Sequence, residues 1–546
     1  MDNKQSLIIT DIKIKRIIVQ ISGENTNPEL KIEKFLIRDY ITNDRLEIAH
    51  IEWNKNQFVI SFNLMSLDHQ YPIHSGDWYL VGVDSLQKNH EVHPTQELIQ
   101  RIQENTYHMT NQYHAYFDRE PQHYYHVESQ IDQDNLSYYL KIVYKKPPEP
   151  LTLRKKIKKI MKTKLKNLRQ WAFVKMFDFF KCFNSPHGNR ILLTSSSRSE
   201  LSGNEKFVYD RMVERGIDKQ FKISFSYKDS IKSYRSLLKK FTFTYKLARA
   251  NIVIVDDYQP EIYLVKFLDH VKVIQLWHAC GAFKTVGLER IGKPGAPLFD
   301  THVHKCYTYM TVSSELSAQH YAEAFGMDEK KIVPIGIART DIFFDEEYKK
   351  KIVPQVLDYF PQCRQASQVI MYAPTFRGVN AKTASFPMDM IDFDLIGDYL
   401  LKTKSVMLIK MHPFVKTPLQ IPEKYKDVII DASGFREIND MLFITDILIT
   451  DYSSVIYEFS LFHKPMLFYA FDRMKYEADR GFYEPYSEMV PGKIVRTFEQ
   501  LVDALEKEDF ELEKVESFVK KNFKYTDGKS TDRIIDQLIL GQIETR

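Results

Sequence analysis

Cysteine is scarce. Four residues, Cys182, Cys280, Cys306 and Cys363, are spread over 546 with no CxxC pair. That pattern excludes a disulfide framework and a zinc ribbon, and it points to a reducing compartment. No apolar run approaches the roughly 18 residues that a membrane-spanning helix needs. The first residues, MDNKQSLIITDIKIKR, lack a basic flank followed by an apolar stretch, so no signal peptide is expected. The expectation is a cytosolic or peripheral protein that does not cross the membrane. Net charge is almost absent too, at +4. What is present is globular material: 44% apolar residues, 27% charged, and 36 Phe, 32 Tyr and 4 Trp, too aromatic for a disordered or collagen-like chain. At roughly 100–200 residues per domain, about three domains are expected.

The small total hides an asymmetry. Residues 151–183 hold eleven Lys and Arg against one acid, Asp178, a local charge of +10 that leaves −6 for the rest of the chain. Arg154, Lys155, Lys156, Lys158, Lys159 and Lys162 form the dense end. Leu153, Ile157, Ile160, Met161, Leu165, Leu168 and Ala172 recur mostly three or four apart, before Phe173, Phe177, Phe179 and Phe180. This spacing predicts an amphipathic helix ringed by cations, a pattern suited to an anionic membrane surface. Each cation near anionic lipid contributes roughly 1 kcal/mol. An interdomain connector with solvated lysines fits the same pattern. Nucleic acid is disfavoured because no recognition module accompanies the helix.

Residues 1–147 read as a β-rich accessory domain, an antiparallel β-sandwich-like fold. Alternating runs at Ile12–Ile21, Gln57–Leu64, Trp78–Val83 and Ser137–Val143 are parted by Asn, Asp, Gly and Pro. Lys145-Lys146-Pro147-Pro148-Glu149-Pro150 ends it, and the basic linker occupies 148–187. Short apolar strands then alternate with helices. Ile191–Leu193, Ile252–Val255 and Val273–Leu276 are candidate strands, with helical segments around 204–216, 230–248 and 260–269. A second series holds Val369–Tyr372, Val406–Ile409, Val428–Ile430, Ile447–Thr450 and Met466–Tyr469. Two such series predict two doubly wound, Rossmann-type α/β domains, 188–360 and 361–546, with a cleft between them. Ligands of such sheets bind at the carboxyl ends of strands.

Four polar clusters fall at those ends: Trp277-His278 with Gly281, Lys284 and Gly287; Pro374-Thr375-Phe376-Arg377-Gly378; Lys410-Met411-His412-Pro413; and Asp451-Tyr452-Ser453-Ser454, leading into a helix that carries Glu458. A strand, Asp-x-Ser-Ser and a helix make a phosphate-binding design, with Asp451 as cap and the hydroxyls of Ser453 and Ser454 toward an anion. Glu458, four residues past Ser454, faces the same ligand and suits ribose hydroxyls. Arg377 and Lys410 are candidate cations for a diphosphate. His278 and His412 can serve as base, acid or donor near neutral pH. A lone strand-end His is commonly structural and Asp-x-Ser-Ser is often just a cap. Four clusters at corresponding strand ends are what make a site.

Other motifs fail. Gly528-Lys529-Ser530 imitates a P-loop ending, but Phe523 stands where its first Gly belongs. His302-Val303-His304-Lys305-Cys306 offers a weak metal set with no fourth ligand. Asp392-Phe393-Asp394 reads as a helix cap rather than a metal-binding DxD. No Gly-x-Ser-x-Gly elbow occurs. No metal site is expected.

Four ordered segments resemble the CDP-glycerol/CDP-ribitol glycerophosphotransferase family, whose members build teichoic acids in Gram-positive bacteria. They are Gln275-Leu276-Trp277-His278-Ala279-Cys280-Gly281-Ala282-Phe283-Lys284-Thr285-Val286-Gly287, Tyr372–Gly378, Lys410–Phe414 and Asp451–Glu458. The resemblance spans about 190–530. Within the family it is most similar to the poly(ribitol phosphate) polymerases of wall teichoic acid, sharing Trp-His-Ala-x-Gly-Ala-Phe-Lys-Thr-Val-Gly, Ser196-Ser197-Arg198, Ser202-Gly203-Asn204 and Phe482-Tyr483-Glu484-Pro485. The resemblance implies a GT-B-like pair of domains, CDP-ribitol or CDP-glycerol held mainly by the second, and no cofactor. It also implies an undecaprenyl-diphosphate-linked acceptor at the cytoplasmic face of the membrane. By matching position, His278 becomes the base and His412 a ligand of the donor diphosphate. Ser453, Ser454 and Glu458 become nucleotide contacts, and Lys284 lies in the first motif. A sugar-nucleotide glycosyltransferase and a non-catalytic assembly scaffold are the rival readings.

Overall fold

A computed structural model of the chain describes residues 6–15, 17–39, 42, 44–68, 73–103, 113–117, 124–132, 135–145, 153–230, 233, 235–290, 303–378, 384–473, 476 and 480–542. The chain divides into two compact units: Met1–Leu165 with Thr285–Lys305 and Tyr321–Asp328, and Lys166–Lys284 with Cys306–His320 and Glu329–Arg546.

The first unit is built on strands β1 (Leu7–Lys15), β2 (Ile18–Asn25), β3 (Ile32–Asp39), β4 (Arg45–Ile48), β5 (His50–Asn54), β6 (Gln57–Asn63), β7 (Gly76–Asp84), β8 (Asn89–Pro94), β9 (Tyr113–Phe117), β10 (Tyr124–Ile131) and β11 (Tyr138–Lys145), with helix α1 (Gln96–Gln103). They form one sheet in the order β5-β6-β2-β1-β8-β7-β11-β10-β9, with β3 and β4 branching from β7. Neighbours are antiparallel except β1 and β8. The run Ile12–Ile21, read as a single strand, is two strands of a hairpin. Within this run the buried positions are even at Ile12 and Ile14 and odd at Ile17, Val19 and Ile21, the parity changing at the turn between the two strands. The alternating inward residues share one apolar core, which Leu288 joins from the returning segment.

Helix α2 (Leu153–Lys181) follows. The side chains of Arg154, Lys155, Lys156, Lys158 and Lys159 lie outside the described residues, whereas Lys162 is exposed. Toward its end, buried Phe173 and Phe177 pack on Phe243 and Phe267 at ring distances of 6.3 and 5.6 Å. Met161, Leu165, Leu168 and Phe179 recur on a different face and stay exposed, Met161 by 67%. Among the described residues no helix is long and apolar enough to cross a membrane.

The second unit holds two parallel six-stranded sheets. The first comprises β12 (Arg190–Ser195), β13 (Lys222–Tyr227), β14 (Ile252–Val255), β15 (Lys272–Gln275), β16 (Tyr309–Thr311) and β17 (Ile332–Val333), in the order β13-β12-β14-β15-β16-β17. The second comprises β18 (Val369–Ala373), β19 (Val406–Ile409), β20 (Ile429–Asp431), β21 (Ile447–Thr450), β22 (Met466–Tyr469) and β23 (Lys493–Val495), in the order β20-β19-β18-β21-β22-β23. Helices α3 (Gly203–Glu214), α4 (Leu237–Arg249), α5 (Glu315–Phe325), α6 (Glu346–Tyr359), α7 (Phe393–Thr403), α8 (Ile438–Leu442) and α9 (Val455–Ser460) connect them. Asp392 caps α7 through Leu395 N–H, as the sequence suggests. Covered on both faces, the central strands β14, β19 and β21 bury every residue, and Thr450 at the end of β21 is the one polar residue among them. The expected helix at 260–269 is only a 3₁₀ turn, Pro260–Leu264, opened by a proline. Strands β13, β16, β17 and β23 were not legible, the last three because two or three residues carry no periodicity.

The strand order reverses between β12 and β14 and again between β18 and β21, which gives each sheet a switch point. At its end the chain returns to the first sheet. Asp341 caps Ser530–Arg533 by accepting from Ser530 and Thr531 N–H at 2.9 and 2.7 Å. A π-helical turn, Ile534–Ile539, then buries Ile534, Ile535, Leu538 and Ile539 in the core of the first sheet. Arg211 of α3 and Arg215 just past its end hold this segment through Asp532 and Asp536. Leu538→Ala is expected to cost about 2–5 kcal/mol, seen as an earlier midpoint in urea unfolding.

Candidate active site

At the switch point of the second sheet, charge is buried on purpose of geometry alone. The Asp451 carboxylate, at the end of β21, accepts Thr375 N–H from the end of β18 at 2.8 Å. Arg377 Nη1 reaches its other oxygen at 2.9 Å, while Nε and Nη2 take Asp472 bidentately at 2.6 and 2.8 Å. The rings of Tyr452, Phe471, Tyr476 and Phe386 surround the guanidinium at 5.1–5.8 Å. Burial opposes the Arg377 charge, and the two carboxylates more than offset it, holding its pKa above the ordinary arginine value. Two expectations are thereby corrected. Arg377 is a strut tying strand ends together rather than a free cation, and Asp451 is no helix cap, because Ser454 holds the N-cap position of the six-residue α9.

In front of this strut lies a cleft of about 700 Å³ between the two halves of the unit. Lys284, Lys410, His412, Ser453, Ser454 and Glu458 line it, as do Arg198, Arg339 and Thr375; Arg377, Asp451 and His278 are not in the lining. Close approach of the halves requires Gly281, where a Cβ would meet Tyr457 Cε1 of α9 at 1.9 Å. His412 sits against Phe376 and Phe414, both at 4.7 Å, and its Nδ1 accepts Phe414 N–H at 3.1 Å. Burial, with the charges of Lys284 and Lys410, pushes its pKa down to about 4. The ring is therefore neutral at physiological pH, with its proton on Nε2 as a donor. Lys410 gives two of its N–H groups to the carbonyls of Ser433 and Phe435, at 3.1 and 2.5 Å, and burial lowers its pKa.

Glu458 is paired through Oε1 with Arg339, and Cys280 Sγ lies 3.3 Å from the same oxygen. Its Oε2, Arg339 Nε and Thr375 Oγ1 are buried with no hydrogen-bond partner among the described residues. Each such atom costs about 1–3 kcal/mol unless something polar, water included, meets it. Arg339 escaped sequence reading because the strand before it, β17, has two residues.

The first sheet's switch point is equally polar. Asp256 and Asp257 follow β14, beside Ser195–Arg198 at the end of β12. Asp256 accepts Asn204 N–H at 2.9 Å and faces Arg198 at 3.5 Å. Asn204 Nδ2 also reaches the carbonyl of Trp277 at 2.7 Å, and its Oδ1 accepts Arg339 N–H at 3.0 Å. A chain of hydrogen bonds thus joins the cleft wall to the residue before His278. His278 is exposed, with Nδ1 3.4 Å from Asp257 Oδ1. Behind it Glu205 is fully buried, accepting Thr194 N–H and the Tyr227 hydroxyl at 3.1 and 2.7 Å. Burial and the Asp256 charge push its carboxyl up to about 8. The acids after β14 were within reach of the strand-end rule, since that strand was read correctly. Among the described residues no three His, Cys, Asp or Glu stand together as metal ligands would, and His302 lies outside them.

Two parallel-sheet halves facing a basic cleft at their switch points define a GT-B-like transferase. The chain belongs to the CDP-glycerol:poly(glycerophosphate) glycerophosphotransferase family, whose profile matches residues 176–540. It is 39% identical to the teichoic acid ribitol-phosphate polymerase TarL of Staphylococcus aureus, over 98% of this chain and 99% of that one. Identity to TarK of the same organism, also a ribitol-phosphate polymerase, is 46% over 68% of this chain and 72% of that one. The solved structure of the wall teichoic acid polymerase TagF is similar in fold, with a TM-score of 0.55 and 21% identity, covering 72% of this chain and all of that one.

The Glu205 shift carries a sign. Its folded-state pKa lies above the unfolded value of about 4.5, so the folded state holds the extra proton between those limits. Its contribution to stability is complete below the unfolded value and lost as pH rises through about 8. Thermal midpoints measured from pH 5 to 8.5 should fall less steeply in Glu205→Gln than in the parent.

Proposed function

We propose that this chain is a teichoic acid polymerase that transfers ribitol phosphate from CDP-ribitol to a lipid-linked poly(alditol phosphate) acceptor and releases CMP. The observation that carries the ribitol reading is the end-to-end similarity, over 98% of the chain, to a ribitol-phosphate polymerase. CDP-glycerol is the other donor that the family's chemistry accommodates.

The cleft supports a division of labour. The second half, 361–546, binds the CDP-alditol, with Ser453, Ser454 and the free Oε2 of Glu458 at the nucleotide. The Nε2–H of His412 and the cations Lys284, Lys410 and Arg339 lie along the diphosphate. The first half, 188–360, presents the acceptor. His278 takes the proton of the acceptor's terminal hydroxyl as that oxygen attacks the alditol-bearing phosphorus. The bond from this phosphorus to the bridging oxygen breaks, CMP leaves with the electron pair, and the cations hold the charge that shifts to it. Placing neutral donors and fixed cations before the reaction begins avoids reorganisation in the transition state.

The acceptor is an undecaprenyl-diphosphate-linked polymer, so the reaction takes place at the cytoplasmic face of an anionic membrane, with 148–187 as the surface-binding linker and 1–147 as an accessory domain. Support comes from α2, where Met161, Leu165, Leu168 and Phe179 form an uncovered stripe between Lys and Arg residues. The apolar surface continues onto α4, whose Leu237 and Leu238 are 89% and 73% exposed, through Phe180 against Phe241 at 5.3 Å. A lysine-flanked apolar face suits the headgroup region of anionic lipid.

Three measurements test the reading. Incubation with a lipid-linked acceptor and either CDP-ribitol or CDP-glycerol, followed by mass spectrometry, should show chain growth in ribitol phosphate steps; a glycosidic product or no CMP would refute it. His278→Ala should abolish turnover while leaving the unfolding midpoint unchanged. Replacing Lys155, Lys156, Lys158 and Lys159 with Gln should release the protein from phosphatidylglycerol vesicles, and undiminished binding would return α2 to a connector.

A further inference from the structure

Asp257 lies two residues past the end of β14, at the switch point of the first sheet, and the reaction as outlined does not use it. Its backbone sits at φ +98°, a region that side-chain-bearing residues rarely enter and that clusters at functional sites when they do. A single buried side chain holds it there. Gln275 Oε1 accepts Asp257 N–H at 3.2 Å, and Gln275 Nε2 donates to the Asp257 carbonyl at 3.0 Å. The same Oε1 accepts Trp277 N–H at 2.9 Å, one residue before His278, and Trp277 is itself left-handed at φ +50°. One amide thus fixes two unusual turns against each other and brings their side chains together.

The carboxylate so placed is crowded with donors. Oδ2 accepts the Ser197 hydroxyl at 3.1 Å, and Oδ1 accepts Tyr258 N–H at 2.7 Å while facing His278 Nδ1 at 3.4 Å. Burial alone would raise this carboxyl, but His278, Tyr258 N–H and Ser197 hold it down at about 2. The other charged group acting on His278 from behind is Asp256, tied to Arg198 and Asn204. The Trp277 ring lies 4.4 Å from the imidazole.

We infer that Asp257 is the positioning residue for His278: it keeps the imidazole proton on Nδ1, turns the Nε2 lone pair toward the acceptor hydroxyl, and stabilises the imidazolium formed when that proton arrives. Asp257 stays ionised throughout; the proton travels from the acceptor oxygen to Nε2 and no further in this step. Ser197 holds the far oxygen, so the carboxylate cannot rotate away. The inference rests on His278 being the base.

The test uses the full chain with lipid-linked acceptor and CDP-ribitol. Asp257→Asn is isosteric but neutral. It should lower kcat by about 10²–10⁴-fold, the range typical of a misoriented base, while KM for CDP-ribitol stays within about threefold. The acid limb of its pH–rate profile should move to lower pH, because the imidazolium has lost its counter-charge; loss of packing alone would leave that limb in place. Turnover within threefold of the parent, or an unmoved acid limb, overturns the proposal. A measurement on the unaltered protein stands beside it: ¹⁵N shifts of the His278 ring should report the Nδ1–H tautomer, and the Nε2–H tautomer would overturn the proposal whether or not the variant folds. Wild-type turnover in His278→Ala would instead sink the base assignment itself, so the two failures are distinguishable.

Discussion

A parallel sheet covered on both faces leaves a chain only one place for chemistry. Strands β14 and β19 are apolar along their whole length because helices cover both sides, and the one polar residue of β21, Thr450 at its end, is buried with its hydroxyl donating to the Ala373 carbonyl at 2.7 Å. Polar groups are therefore confined to the carboxyl ends, and they gather where the strand order reverses and neighbouring loops diverge. In this chain the constraint operates twice. One switch point collects Ser197, Asp256, Asp257 and the His278 turn; the other collects Thr375, Arg377, Asp451 and the Ser453–Ser454 turn. Gly281 lets the two come close enough to share a cleft, and Arg339 with Glu458 joins its opposite walls.

Burying that much charge divides the polar residues into two kinds. Arg377 is surrounded by carboxylates and rings, and its hydrogen bonds are spent on holding β18, β21 and the Asp472 loop in place. His412 has one nitrogen anchored to backbone and one left as a donor, and Glu458 has one oxygen paired and one without a partner. Residues whose capacity is exhausted define the shape of the site. Residues with one atom in reserve are those that can meet a ligand. Motif reading lists both kinds side by side, because a strand-end Arg and a strand-end His look equally available until their neighbours are known.

That limit explains what could be read from the sequence. Strands of four or five apolar residues announced themselves, and β14, β19, β21 and β22 fall where they were expected to the residue. Six of the expected ligand residues do line one cleft. Residues brought in by short or irregular elements stayed invisible: Arg339 follows a two-residue strand, and the partnership of Gln275 with Asp257 depends on two left-handed turns that no periodicity encodes. The commitment of Arg377 to Asp472 spans 95 positions and lies beyond any local pattern.

The return of the last segment to the first sheet has a consequence in time as well as in space. Ile534, Ile535, Leu538 and Ile539 complete a core whose other members begin at Ile191. During synthesis the first half emerges long before the residues that close it, and its apolar edge must wait while the entire second half is made. The two halves are thus coupled in folding order. The core of the 188–360 half becomes whole only after the 361–546 half has been made, so a chain cut short by premature termination would leave that core open where Ile534, Ile535, Leu538 and Ile539 belong.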